Sequence, residues 1–151
     1  MKQQILLLNA GETPLRQRLL QALQPALPQL LVFSTDLLAG TGNADAACRQ
    51  RAMHYCLPAL LQAGMQVLVV HDWLTRAAKR EVLTELAGYD VLLFGLCQDD
   101  DAPELHAGWT YDGEWRLTAG SDLPQLAAQM VQFLPQASGS AAWSSLQELS
   151  I

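Results

Sequence analysis

The chain has 151 residues, half of them hydrophobic and 16% charged, with a formal net charge of −6. That length fits one domain with a sizeable core, and the apolar content excludes an intrinsically disordered chain. The acidic balance argues against a nucleic-acid partner, whose phosphate backbone is bound by clustered Lys and Arg.

Gln4 to Asn9 reads as a first strand whose run Ile5-Leu-Leu-Leu8 is apolar on both faces, as in a buried parallel sheet. Thr13-Pro14 predicts a helix start, with Thr13 as N-cap and Pro14 at the first helical position, where its missing N–H costs nothing. Leu15, Leu19, Leu20 and Leu23 mark the apolar face of that helix, which is expected to end near Pro25. Leu30 to Phe33 forms a second strand, with Ser34-Thr35-Asp36 just past its carboxyl end and a loop at Gly40, Gly42 and Asn43. A long helix is predicted over 44–63, kinked or restarted at Pro58 and closed by Gly64. Gln66 to Val70 is a third strand, followed by His71-Asp72, and Thr75 caps a helix running to Leu86. Val91 to Leu96 is the fourth strand.

This alternation of apolar strands and helices predicts an α/β fold, a doubly wound three-layer sandwich around a mostly parallel sheet. Beyond the fourth strand, Asp99, Asp100 and Asp101 mark a solvated acidic loop. Trp109-Thr-Tyr111 and Glu114-Trp-Arg-Leu117 then flank Asp112-Gly113, a two-residue hairpin signal. A last helix spans 122–133, so that residues 1–136 make the domain and 137–151 a mobile C-terminal tail. Within the tail, Trp143, Leu146 and Leu149 recur at near-helical spacing and are able to dock on something. The apolar runs are too short to span a bilayer and no signal-peptide core follows Met1, so the expected location is the cytoplasm, away from membranes. Cys48, Cys56 and Cys97 lack any C-x-x-C spacing, which points to buried thiols and to neither a metal site nor a disulfide framework.

Taken together, several stretches resemble the chloramphenicol phosphotransferase-like branch of the P-loop kinases. They are Ile5 to Asn9 opening into a glycine loop, Leu23 to Pro28 before a strand ending in Asp36, Ala63-Gly64 before a strand ending in Asp72, and Tyr89-Asp90-Val91-Leu92 before the fourth strand. The resemblance covers the chain to about Leu134 and implies a phosphate loop reading G-x-x-x-x-G-K-[S/T], whose N–H groups, Lys and hydroxyl hold nucleotide phosphates and magnesium. In this chain Ala10 and Leu15 stand for the two Gly, Arg16 for the Lys and Gln17 for the Ser or Thr. Glu12 also places a carboxylate where the helix N-terminus would receive a phosphate, and the stretch 98–111, where relatives carry lid arginines, has no Lys or Arg. An aromatic hairpin stands in place of the lid.

The candidate phosphate-binding residues are therefore Gly11, Thr13 and Arg16, and the resemblance makes Asp36 the base that takes a proton from an acceptor hydroxyl. Asp72, beside His71, matches a second acidic residue able to hold magnesium or substrate. Two main readings follow. In the first, the loop no longer works and the domain is a binding or regulatory module in a protein complex. It then needs no cofactor and meets its partner through the tail (Trp143, Leu146, Leu149) or the hairpin (Trp109, Tyr111, Trp115). In the second, a small-molecule phosphotransferase uses ATP or GTP with magnesium, with Arg16 on the phosphates, Asp36 as base and Asp72 at the metal. A third reading is a non-nucleotide pocket at the strand ends, covered by the aromatic hairpin.

Overall fold

The computed structural model describes residues 4–35, 45–134 and 141–148. Five parallel strands, β1 (Gln4–Ala10), β2 (Leu30–Ser34), β3 (Gln66–His71), β4 (Asp90–Gln98) and β5 (Gly113–Leu117), form one sheet in the order β2-β3-β1-β4-β5. Helices α1 (Pro14–Ala26), α2 (Ala46–Gln62), α3 (Arg76–Glu85), the short α4 (Pro103–His106), α5 (Leu123–Phe133) and α6 (Ala141–Glu148) connect and cover it. No helix among the described residues is long and apolar enough to cross a membrane.

The strands read as continuous apolar runs because both faces of the sheet are buried. Ile5, Leu7, Val67, Val69, Val91 and Leu93 point into a core shared with Met53 and Leu57 of α2, Val82 of α3, and Trp143 and Leu146 of α6. Leu8, Leu68, Val70, Leu92 and Phe94 alternate to the opposite core, against Leu19 and Leu23 of α1 and Leu126 and Met130 of α5. Three layers result, as the strand pattern predicts. On the edge strand β2, the Gln24 side chain donates to the Leu30 carbonyl at 2.7 Å and accepts from the Val32 N–H at 2.9 Å, which occupies polar groups a bare edge would expose.

Helix starts follow local chemistry. Thr13, Asp45, Thr75 and Asp122 each cap a helix with a side-chain oxygen. Helix α2 runs on through Pro58 with no new start, the proline being exposed on its outer side.

Three expectations need correction. Asp112-Gly113 turns no hairpin: β5 lies parallel to β4, and 109–111 is a connection without strand structure. Asp112 instead joins β4, its N–H donating to the Leu93 carbonyl at 2.7 Å while its carboxylate accepts from the Leu93 N–H at 2.8 Å. The glycine is needed for close packing, since a Cβ on Gly113 would lie 2.6 Å from the Phe133 ring. The aromatic residues expected on that hairpin are also divided. Trp109 packs on Trp73 with ring centroids 5.8 Å apart in one core, while Trp115 packs on Phe94 and Phe133 beside the other.

Second, residues 141–148 are a helix set into the first core, with Trp143 at 4% and Leu146 at 0% exposure, so these two side chains serve the chain's own packing. Leu149 lies outside the described residues. Third, Cys48 and Cys56 are exposed and Cys97 is half-buried, because the outer face of α2 carries the first two and strand β4 ends near the third.

Candidate functional site

Strand β1 lies between β3 and β4, and the connection that follows β1 packs on one face of the sheet while the one that follows β4 packs on the other. The carboxyl ends of β1 and β4 therefore flank the switch point where open α/β sheets bind ligands. Asn9, fully buried there, donates to the Leu105 carbonyl at 2.9 Å and the Tyr111 hydroxyl at 3.0 Å, and accepts from the Trp73 N–H at 3.2 Å. One amide thus ties the exits of β1 and β3 to the segment around α4.

The loop after β1 is tied as closely. Thr13 accepts the Arg16 N–H at 3.0 Å as N-cap, and its hydroxyl donates to Gln98 Oε1 at 2.6 Å. Gln98 Nε2 donates in turn to the Gly11 carbonyl at 2.9 Å, so a single side chain at the end of β4 spans the loop. The Gln98 N–H donates to Asp101 Oδ2 at 2.7 Å, which also receives His106 Nε2 at 2.9 Å. His106 Nδ1 and the Tyr111 hydroxyl complete a chain of hydrogen bonds back to Asn9. Burial pushes the Tyr111 phenol up from its usual pKa, so it serves here as a neutral hydroxyl.

Each predicted loop residue has a definite place in this arrangement. Gly11 meets the Asp101 carboxylate: a Cβ on Gly11 would lie 2.8 Å from Asp101 Oδ1. Arg16 is 1% exposed and its guanidinium donates to the Ala10 carbonyl at 2.9 Å, beneath the loop. Glu12 is exposed, and the capping position is held by Thr13. Asp36 lies outside the described residues, as do Gly40, Gly42 and Asn43. Asp72 is partly buried with Oδ1 3.5 Å from His71 Nδ1. Among the described residues no cluster of three or more His, Cys, Asp and Glu is arranged to hold a metal ion.

His71 belongs to a second polar group, between the sheet and the α2–α3 pair. Its Nε2 lies 3.1 Å from Gln50 Oε1, while Gln50 Nε2 donates to the Ala78 carbonyl at 3.0 Å. The ring meets Trp73 edge-on at 5.2 Å, and His54 stacks on the same indole at 6.3 Å. Burial pulls His71 down to about 4, with Asp72 acting against and Arg16 adding to the shift. Burial likewise holds His54 at about 3, with His71 assisting, and raises its hydrogen-bonded partner Glu85 to about 7, helped by Glu81.

Sequence reasoning missed Asn9, Gln98, His106 and Asp101 as one network, and Gln50, His54 and Glu85 as another. The first had a signal in polar residues at the ends of two apolar strands. The second had one in Gln50 and His54, which share the helical stripe of Met53, Leu57 and Leu61. Neither pattern names its partners.

No protein-family model and no curated protein sequence matches the chain. Solved structures do. The chain is similar to the Mycobacterium tuberculosis APS kinase CysC Cys556Ala mutant, at a TM-score of 0.63 and 16% identity over 89% of this chain and 98% of that one. The Deinococcus radiodurans tunicamycin resistance protein matches at 0.57 and 16% over 87% and 95%. A sugar kinase from Janibacter sp. HTCC2649 matches at 0.54 and 11% over 92% and 99%. At these identities the likeness is one of fold, and the fold is that of the P-loop kinases.

Proposed function

We propose that this chain is a P-loop kinase-like domain that does not transfer phosphate and acts as a binding or regulatory module in a protein complex. The observation that carries the reading is the tied loop after β1, spanned by Gln98, faced by the Asp101 carboxylate at Gly11, and underlain by an inward-turned Arg16. A transferring phosphoryl group needs converging N–H donors, a reachable cation and an oxygen for magnesium. Here the loop hydroxyl is engaged by the cap and by Gln98, and the cation holds a backbone carbonyl. A carboxylate beside the loop glycine repels a triphosphate. These residues do not fit magnesium-bound ATP or GTP.

Because Trp143, Leu146 and Trp109 are buried in the chain's own core, the reading assigns partner contact to other surfaces. Isothermal titration with ATP and GTP, with and without magnesium, should give no heat at about 1 mM nucleotide, where a millimolar site would register. Affinity capture of the intact chain from cells should recover a stoichiometric protein partner. Magnesium-dependent ATP turnover abolished by Asp36→Ala would overturn the proposal and restore the phosphotransferase.

A further inference from the structure

A second concavity lies away from the tied loop, between the first turn of α3 and the α4 turn. It is an open pocket of about 690 Å³ with Leu74, Ala102, Ala107 and Gly108 as apolar walls. Lys79 lines it and is only 7% exposed. Its ammonium donates to the Glu104 carbonyl at 2.6 Å and the Ala107 carbonyl at 3.0 Å, both on the pocket wall. An ammonium has three N–H donors, so one remains beyond these two bonds.

Among the described residues no carboxylate lies within ion-pair distance of Lys79. The Glu104 carboxylate acts on Lys79 from beyond ion-pair distance and offsets only part of the cost of desolvating the ammonium, which leaves room for an anion's charge. Burial accordingly lowers the Lys79 pKa, with the Glu104 charge acting the other way. Two further features point to an anion. The α3 N-terminus faces the pocket at Thr75 and Arg76, and Thr75 caps only the Ala78 N–H, so the dipole end of the helix remains there. Arg76 adds a second positive charge at the mouth.

The Glu104 side chain limits what the site accepts, since its carboxylate on the rim opposes a dianion more than a monoanion. The walls, in turn, favour an organic body over a bare inorganic ion. We propose that this pocket binds a small organic monocarboxylate with an apolar body, its carboxylate on the Lys79 ammonium and its body against Leu74, Ala102 and Ala107. The inference does not rest on the state of the loop after β1.

The test uses the full chain with phenylacetate and hexanoate as probes, and phenylacetamide and inorganic phosphate as controls. Calorimetry reads binding directly, and tryptophan fluorescence reads it at Trp73 and Trp109, each next in sequence to a pocket residue. At least one carboxylate should saturate with a Kd of about 1 mM or below, with amide and phosphate weaker by about tenfold or more. Lys79→Gln, which keeps a donor but removes the charge, should weaken the carboxylate by about tenfold. Ala107→Leu, which fills the pocket and leaves the Ala107 carbonyl in place, should do the same, and it carries the decision if Lys79→Gln does not fold. No saturation by about 10 mM, equal binding of carboxylate and amide, tighter binding of phosphate, or affinity unchanged in the folded variants would each overturn the proposal.

Discussion

Replacing Leu146 by Ala tests whether α6 is part of the fold or an appendage to it. Leu146 is fully buried, and with Ala142 and Trp143 it closes the core that also holds Ile5, Leu7, Val91 and Leu93. Removing its side chain forfeits transfer energy and leaves a cavity that surrounding strands cannot collapse into, at a cost of about 3 kcal/mol. In a domain of this size that lowers Tm by about 6–12 °C. Urea unfolding followed by circular dichroism should show a lower midpoint at an unchanged slope, which separates lost stability from an altered denatured state. Ser144→Ala, on the exposed side of the same helix, should stay within about 0.5 kcal/mol of the parent protein. A Leu146→Ala cost below about 1 kcal/mol would refute the placement of α6, because such a value belongs to a surface position.

Two further perturbations probe the buried polar groups and the strand exits. Folding raises Glu85 to about 7, so the stability it contributes is complete below its unfolded value of 4.5 and is lost as pH rises through 7. Glu85→Gln mimics the protonated acid and should gain stability relative to the parent as pH rises from about 5 to about 8; a pH-independent difference in urea midpoints would sink this account. Gly95→Ala would place a Cβ 2.4 Å from the Tyr111 ring and should cost about 1–3 kcal/mol in urea unfolding. Gly88→Ala, with open space around the new methyl, is the control, and equal effects at the two sites would contradict the observed packing of Tyr111 on β4.

The architecture was legible where local chemistry and burial agree. The apolar runs of β1, β3 and β4, the Thr13-Pro14 and Thr75 starts, and the Gly64 stop all appear where the sequence places them. The Asp112-Gly113 signal failed because a short-range turn preference competed with long-range pairing. One backbone–backbone bond and one backbone–side-chain bond between Asp112 and Leu93, with the close approach of Phe133, hold that dipeptide beside β4. The tail failed for a related reason. Small and polar residues at 137–141 look like the composition of a linker, but the helical spacing of Trp143 and Leu146 matches an apolar surface that exists only once β4 is in the sheet.

The candidate site divides in the same way. From the residues alone, the loop after β1 lacks the Lys, the second Gly and the magnesium hydroxyl of a working phosphate loop, since identity at each position decides what donors are present. What occupies the loop depended on the tertiary structure, because Gln98 and Asp101 lie more than 80 residues away and arrive only through the pairing of β1 with β4. Arg16 shows the limit most plainly: its charge follows from its identity, but its burial and its bond to the Ala10 carbonyl follow from where α1 packs under the loop. Residue identity decides which charges and hydrogen bonds are available, and the fold decides which of them meet.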